Sequence, residues 1–340
     1  VGHSMGGDTI RTLMNLLADE RSHLHAHWKR EGGAGGAMST AWMKSLTTVS
    51  TPLNGTPAVD FLGYDSFNKK VRILSPLHLL LALVMAIELA SCKTFGKHVL
   101  GWDHWSEAHR GWGGVLLILR CIFLAQHPMI DNEDWCVPDV SIRGAMKLNE
   151  TPTHRTTYYF SYVTETSRPC PLSMTLLRDR LNKEPRWPSP RTHPLMMWLS
   201  AVVGSWRHTL PVPYPAWRDE DWWNNDGPVP VHSQKFPIIF NNKSSSPSSS
   251  TWVISSVDTP PHDSPRTAAV EGHVSTNPHP AAPLEQSDAS DIQPGVWYFS
   301  DTVHMDHMSV SMDPRGAQTE QQQRLYIAIL KRPRLVSVSR

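Results

Sequence analysis

The 340-residue sequence predicts an α/β fold, and three observations predict it. Just after a glycine-rich opening, Ile10, Leu13, Met14 and Leu17 recur at the spacing of an amphipathic helix. Two short runs rich in β-branched and aromatic residues, 44–49 and 156–163, read as strands. Helical patterns stand between and after these runs, and strands alternating with helices favour a helix-covered sheet.

The first helix begins beside Ser4, with Arg11, Asn15, Asp19 and Glu20 expected on its polar side. A glycine-rich loop at 32–36 leads into the first strand, which ends in the turn Thr51-Pro52-Leu53-Asn54-Gly55-Thr56. Residues 77–89 and 143–148 carry helical patterns ahead of the second strand. Proline density rises over 170–215, although 195–203 stays apolar. Residues 241–294 are dominated by Ser, Pro, Thr and His around a serine-rich centre, the composition of a disordered insertion with no share in the core. The stretch 318–330, with Leu325, Ile329 and Leu330, is expected to close the fold as a helix. This gives a core over 1–240, an insertion over 241–294 and a returning core segment over 295–340.

Lys and Arg total 32 against 31 acidic residues, so no net field favours nucleic acid or an anionic surface. Cys92, Cys121, Cys136 and Cys170 form no C-x-x-C pair, which argues against a zinc-finger-type site. No run reaches the roughly 18 apolar residues of a membrane-spanning helix.

Gly2-His3-Ser4-Met5-Gly6 fits G-x-S-x-G, in which small residues beside the serine permit a strained strand-to-helix turn that projects the hydroxyl. A serine is a weak nucleophile until an imidazole takes its proton, and the imidazole needs a carboxylate to orient it. Asn-Asp-Gly at 225–227 is strong turn chemistry in any protein. Asp219, Asp221 and Asp301 compete with Asp226 for the acid, and His304 and His232 compete with His307 for the base.

Beyond the pentapeptide, Gly7 with Ile10-Arg11 resembles the elbow of the large true-lipase family of thermophilic bacilli and staphylococci, with fungal relatives. Further similarities follow in chain order. Leu46-Thr47-Thr48-Val49-Ser50-Thr51-Pro52 with Gly55-Thr56 is similar to the family's strand and TPxxGT loop. Gly144-Ala145-Met146-Lys147-Leu148-Asn149 and Thr157-Tyr158-Tyr159-Phe160-Ser161 are similar to its GAxKLN and TYYxS segments. Asp221 to Val229 resembles its WxxNDGxV acid loop, and Val303-His304-Met305-Asp306-His307-Met308 its VDHL histidine loop.

The resemblance implies an α/β-hydrolase with a doubly wound sheet, and a triad of Ser4, Asp226 and His307 in the order serine, acid, histidine. It implies the backbone N–H of Met5 as one oxyanion donor. The second donor and the central strands of that family lie upstream of the serine, so a chain opening at Val1 is expected to be truncated and weakly active alone. The reaction implied is hydrolysis of carboxylic esters, foremost long-chain triacylglycerols at an oil–water interface, outside the cell. A carboxylesterase for smaller esters and a catalytically silent module are the rivals. Residues 76–89, within a region of about 60–135, fall where the family carries its lid. The chemistry requires no cofactor. Asp313-Pro314 resembles part of a calcium loop, although Ser309 replaces a glutamate there and weakens the set. Asp131 or Asp134 is all that is expected to remain of the family's zinc site. Residues 115–125 and the 241–294 insertion match nothing in the family and read as retained non-coding sequence.

Overall fold

A computed structural model describes residues 1–19, 21–23, 25, 43–90, 112–126, 135–151, 153–169, 186–190, 192–208, 218–238, 281–285, 287, 290–311 and 319–338. It divides into two compact units, one of 1–56 with 145–340 and one of 57–144.

The larger unit is built on a parallel sheet. Its strands are β1 (Gly2–His3), β2 (Ser45–Val49), β3 (Tyr158–Tyr162), β4 (Ala281–Pro283) and β5 (Trp297–Phe299). The spatial order is β1-β2-β3-β5-β4, and every neighbouring pair runs parallel. Parallel strands need helical crossovers, which cover both faces and make the strands continuously apolar rather than alternating. All five residues of β3 are accordingly buried. Tyr158, Phe160 and Tyr162 face one core with Leu325 and Ile329 of the helix Thr319–Val338. Tyr159 faces the other, with Trp297 and Met14 of the helix Met5–Ala18. The period of two along β3 thus divides its aromatic residues between two helix-covered faces.

Two expectations need correction. The insertion is expected to span 241–294, but 281–283 pairs with the strand Trp297–Phe299, and Leu284 and Ile292 are buried in the first core. Low hydropathy averaged over that segment hid two anchoring residues. Residues 239–280 lie outside the described residues. Arg11, expected on the polar side of the first helix, is buried, while Leu13 and Leu16 are exposed. Arg11 Nη1 donates to Asn149 Oδ1, and Asn149 Nδ2 donates to the carbonyls of Leu53 and Ile238. A buried charge persists where its hydrogen bonds are met, and periodicity alone cannot see them. Residues 115–124 lie in the helix Trp112–Leu124, and Ala125 follows it at a φ of 52°.

The smaller unit, by itself, packs Val59, Tyr64, Val71, Leu77, Ala125 and Val140 into its own core. The longest helix among its described residues is Pro76–Ala90, on which Leu79, Leu80 and Leu83 are exposed. His78 is a buried polar residue of that helix: Nδ1 accepts the Leu74 N–H, and Nε2–H donates to the Cys121 carbonyl.

Candidate active site

Ser4 stands between β1 and the helix Met5–Ala18, where its φ of 55° and ψ of −136° lie far from either element. A non-glycine residue at positive φ is strained, and such strain persists only where the surroundings enforce it. Here they do. The Ser4 N–H donates to the Val49 carbonyl, extending the β1–β2 pairing by one residue, and the Gly7 N–H donates to the Ser4 carbonyl to start the helix. A Cβ on Gly2 would lie 2.5 Å from the Gly7 nitrogen, and one on Gly7 would lie 2.2 Å from Thr51 Oγ1. A Cβ on Gly6 would touch nothing within 4 Å. The steric demand of the turn therefore rests on Gly2 and Gly7, not on both glycines of the pentapeptide.

Ser4 occupies the N-cap position, where a serine commonly gives its oxygen to the helix, yet it makes no side-chain cap. Its hydroxyl lies 2.8 Å from His307 Nε2. His307 Nδ1 lies 2.9 Å from Asp226 Oδ2. A carboxylate can only accept, so Nδ1 carries the proton and Nε2 is left to accept the serine hydroxyl proton. Met5 opens the helix, so its N–H has no intrahelical acceptor and lies directly after the serine.

The loop around Asp226 shows how turn chemistry and a buried carboxylate facing an imidazole coexist in Asn225-Asp226-Gly227. Asp226 is fully buried. Its Oδ1 accepts the Val229 N–H, and its backbone N–H donates to the Val229 carbonyl, which closes the turn. Its Oδ2 is then free to face His307 and the Thr164 hydroxyl, the latter at 2.9 Å. The Asp226 carbonyl also accepts the His307 N–H, fastening the two loops backbone to backbone.

His307 begins the helix His307–Ser311, and the preceding Asp306 caps it. Asp306 Oδ1 accepts the Met308 and Ser309 N–H groups, while Oδ2 accepts the Ser309 hydroxyl and the His193 N–H. That carboxylate is fully used in holding the histidine loop. His3 covers the other side, its ring 4.8 Å from that of His307. Its Nε2–H donates to the His307 carbonyl at 3.1 Å. Burial, then the proximity of His307, lowers the His3 pKa from 6.5 to about 4.

The structure brings Ser4, Asp226 and His307 together and leaves their rivals elsewhere. Asp301 and His304 are exposed. Asp221 pairs with Arg218, Asp219 accepts the His208 N–H, and His232 packs on Trp222. Asp131, Asp134, Asp313 and Pro314 lie outside the described residues. Among the described residues, no three His, Cys, Asp or Glu side chains could hold a metal ion. Sequence reasoning missed Thr164, Ser50 and Gln234, which support Asp226 from behind. No motif marks them, and Thr164 and Asp226 are 62 positions apart.

A family model described as "Lipase-like, C-terminal domain" matches residues 1–172. Lipase 2 of Staphylococcus aureus is 25% identical over 242 residues, 70% of this chain. A lipase of Staphylococcus hyicus is 29% identical over 169 residues, 48% of this chain. The chain spans only 30% and 24% of the lengths of these two relatives. The crystal structure of Staphylococcus hyicus lipase superposes with a TM-score of 0.55 at 19% identity, over 99% of this chain and 70% of that one, a likeness of fold. With half its length matched by the family model, the chain belongs to the lipase-like C-terminal domain family.

Proposed function

We propose that this chain is a serine ester hydrolase, a triacylglycerol lipase that works through an acyl-enzyme on Ser4. One observation carries the reading: a strained, uncapped serine hydroxyl lies 2.8 Å from an imidazole whose other nitrogen lies 2.9 Å from a buried carboxylate. This is the arrangement that general-base activation of a serine requires.

Ser4 Oγ attacks the ester carbonyl carbon while His307 Nε2 takes the hydroxyl proton. The carbonyl oxygen becomes an oxyanion, and the Met5 N–H stabilises it. Collapse expels the alcohol, which receives the proton from His307, and leaves the acyl group on Ser4. Water then attacks the acyl-enzyme, giving its proton to His307, and a second collapse returns the proton to Ser4 and releases the fatty acid. Asp226 holds the imidazole in the required tautomer and stabilises it when charged.

The names of the relatives favour acylglycerols as substrate. The exposed leucines of Pro76–Ala90 favour a lid role for that helix, since a face meeting lipid must be apolar. An extracellular site of action belongs to the same reading. Among the described residues, no helix is long and apolar enough to cross a membrane.

The test is labelling of the full chain with a fluorophosphonate, beside hydrolysis of tributyrin below and above its solubility limit. Labelling at Ser4, absent in Ser4→Ala, and a jump in rate when droplets form are expected. Labelling that survives in Ser4→Ala would sink the triad. Labelling without the jump would point to a carboxylesterase for smaller esters, and a folded chain that neither labels nor hydrolyses to a silent module.

A further inference from the structure

The carboxylate of a triad is effective only while it stays ionised and aimed, and Asp226 is sealed from water. Something must therefore replace its solvation. Oδ1 is occupied by the turn at Val229, so the group facing Oδ2 beside His307 decides the balance. That group is the Thr164 hydroxyl, 2.9 Å away.

Thr164 does not stand alone. Its Oγ1 is 2.5 Å from Ser50 Oγ, and both side chains are fully buried. A hydroxyl has one proton. Thr164 gives its own to the charged Oδ2, in preference to Gln234 Oε1 at 3.3 Å, so the Thr164 oxygen accepts the Ser50 proton. The donors run in one direction, from Ser50 to Thr164 to Asp226, and such chains polarise each bond in turn. Ser50 reaches this place because its backbone sits at φ 52°, turned out of β2 with its N–H held by the Tyr162 carbonyl.

The backbone of Thr164 is clamped as well. Gln234 Oε1 accepts its N–H at 2.8 Å, and Gln234 Nε2 donates to its carbonyl at 3.0 Å and to that of Val229 at 3.1 Å. This side-chain amide thus pairs with Thr164 as a neighbouring strand would, and ties it to the acid loop. On its other side Thr164 forms a parallel bridge to Val303 of the histidine loop. The residue is the point where the strand end, the acid loop and the histidine loop meet.

We propose that Thr164, supplied by Ser50 and fixed by Gln234, is the positioning residue that keeps Asp226 directed at His307. The inference rests on the triad reading above. Removing the donor leaves more of the carboxylate charge to be met by the imidazolium, so the acid limb of the pH–rate profile, set by protonation of the base, moves to higher pH. Among the described residues, these other ionisable groups lie around the pair. His3 stacks on His307, Asp306 is taken by four donors, and Glu165 accepts the Ser167 hydroxyl. Across the helix Val231–Lys235, His232 lies on Trp222, and Lys235 lies over the Phe299 ring.

The experiment compares Thr164→Val, Thr164→Ser, Ser50→Ala and Ser4→Ala in the full chain. The readouts are pH profiles of p-nitrophenyl butyrate hydrolysis, thermal melts, and the downfield proton resonance of the His307 Nδ1–H. Thr164→Val should slow turnover by about 10- to 100-fold, the scale of one hydrogen bond to a charged group. It should also move the acid limb upward and displace the resonance. Thr164→Ser should restore all three, and Ser50→Ala should move them in the same direction by less. An unaltered profile and resonance in a folded Thr164→Val overturns the inference while leaving the triad intact. If Thr164→Val does not fold, an unaltered profile and resonance in folded Ser50→Ala overturns it. Turnover surviving in Ser4→Ala removes the triad reading and the inference with it.

Discussion

His3 donates its Nε2–H to the carbonyl of His307, so the residue before the serine holds the histidine loop through its own neutral ring. Burial and the proximity of His307 favour the uncharged ring, and they outweigh the hydrogen bond to the carbonyl, which either protonation state can donate. The pKa of His3 is lowered to about 4, and that of His232 likewise, in each case first by burial. A histidine depressed from 6.5 contributes stability that is complete above pH 6.5 and is lost as pH falls towards 4. Asp60, raised to about 6 by burial, acts in the opposite sense over pH 6 to 4 and offsets part of the loss. Urea midpoints measured from pH 7 to 4 should therefore fall, and fall less in His3→Gln. A midpoint that rises on acidification would contradict this.

The contrast between Gly6 and Gly7 is open to a direct test. Gly7→Ala puts a methyl 2.2 Å from Thr51 Oγ1, so the turn must shift, at about 1–3 kcal/mol. Gly6→Ala meets open space on a helix and should hold stability or gain up to about 1 kcal/mol. Denaturant curves of the two variants decide, and equal losses would refute the steric assignment.

Asp226→Asn is nearly isosteric but exchanges an acceptor for a donor. Its amide nitrogen facing His307 would force the proton of the ring onto Nε2, which then cannot accept from Ser4. Turnover of a soluble ester should fall by about 10⁴-fold with the fold retained. A loss under tenfold in a natively melting variant would show that Asp226 does not set the tautomer.

Asp306 is a carboxylate with four donors and therefore a structural cap. Asp306→Ala should destabilise by about 1–3 kcal/mol, by loss of the cap and of hydrogen bonds to a charged group. It should also reduce activity by loosening His307, and added calcium should not restore either. Recovery by calcium, read in the melt, would assign Asp306 to a metal.

Much of this was legible in the sequence because it is local. The pentapeptide around Ser4, the helix after it and the strands near 45–49 and 158–162 follow from steric demand and period. Asn-Asp-Gly marks only a turn by itself, and Asp226 and His307 are named through the resemblance of their loops to those of a lipase family. The burial of Arg11, the strand at 281–283, and the support of Asp226 by Thr164, Ser50 and Gln234 were not legible. Each depends on a partner tens of positions or more away, and none alters the pattern of its own neighbourhood.

By itself, then, the sequence determined the class of fold, the strained serine and the residue types able to activate it, since these are properties of short segments. The tertiary structure decided which carboxylate and which imidazole meet that serine, and which buried hydroxyls hold them. Hydrogen bonding acts over about 3 Å, and only the folded chain brings residues 4, 50, 164, 226 and 307 within that reach.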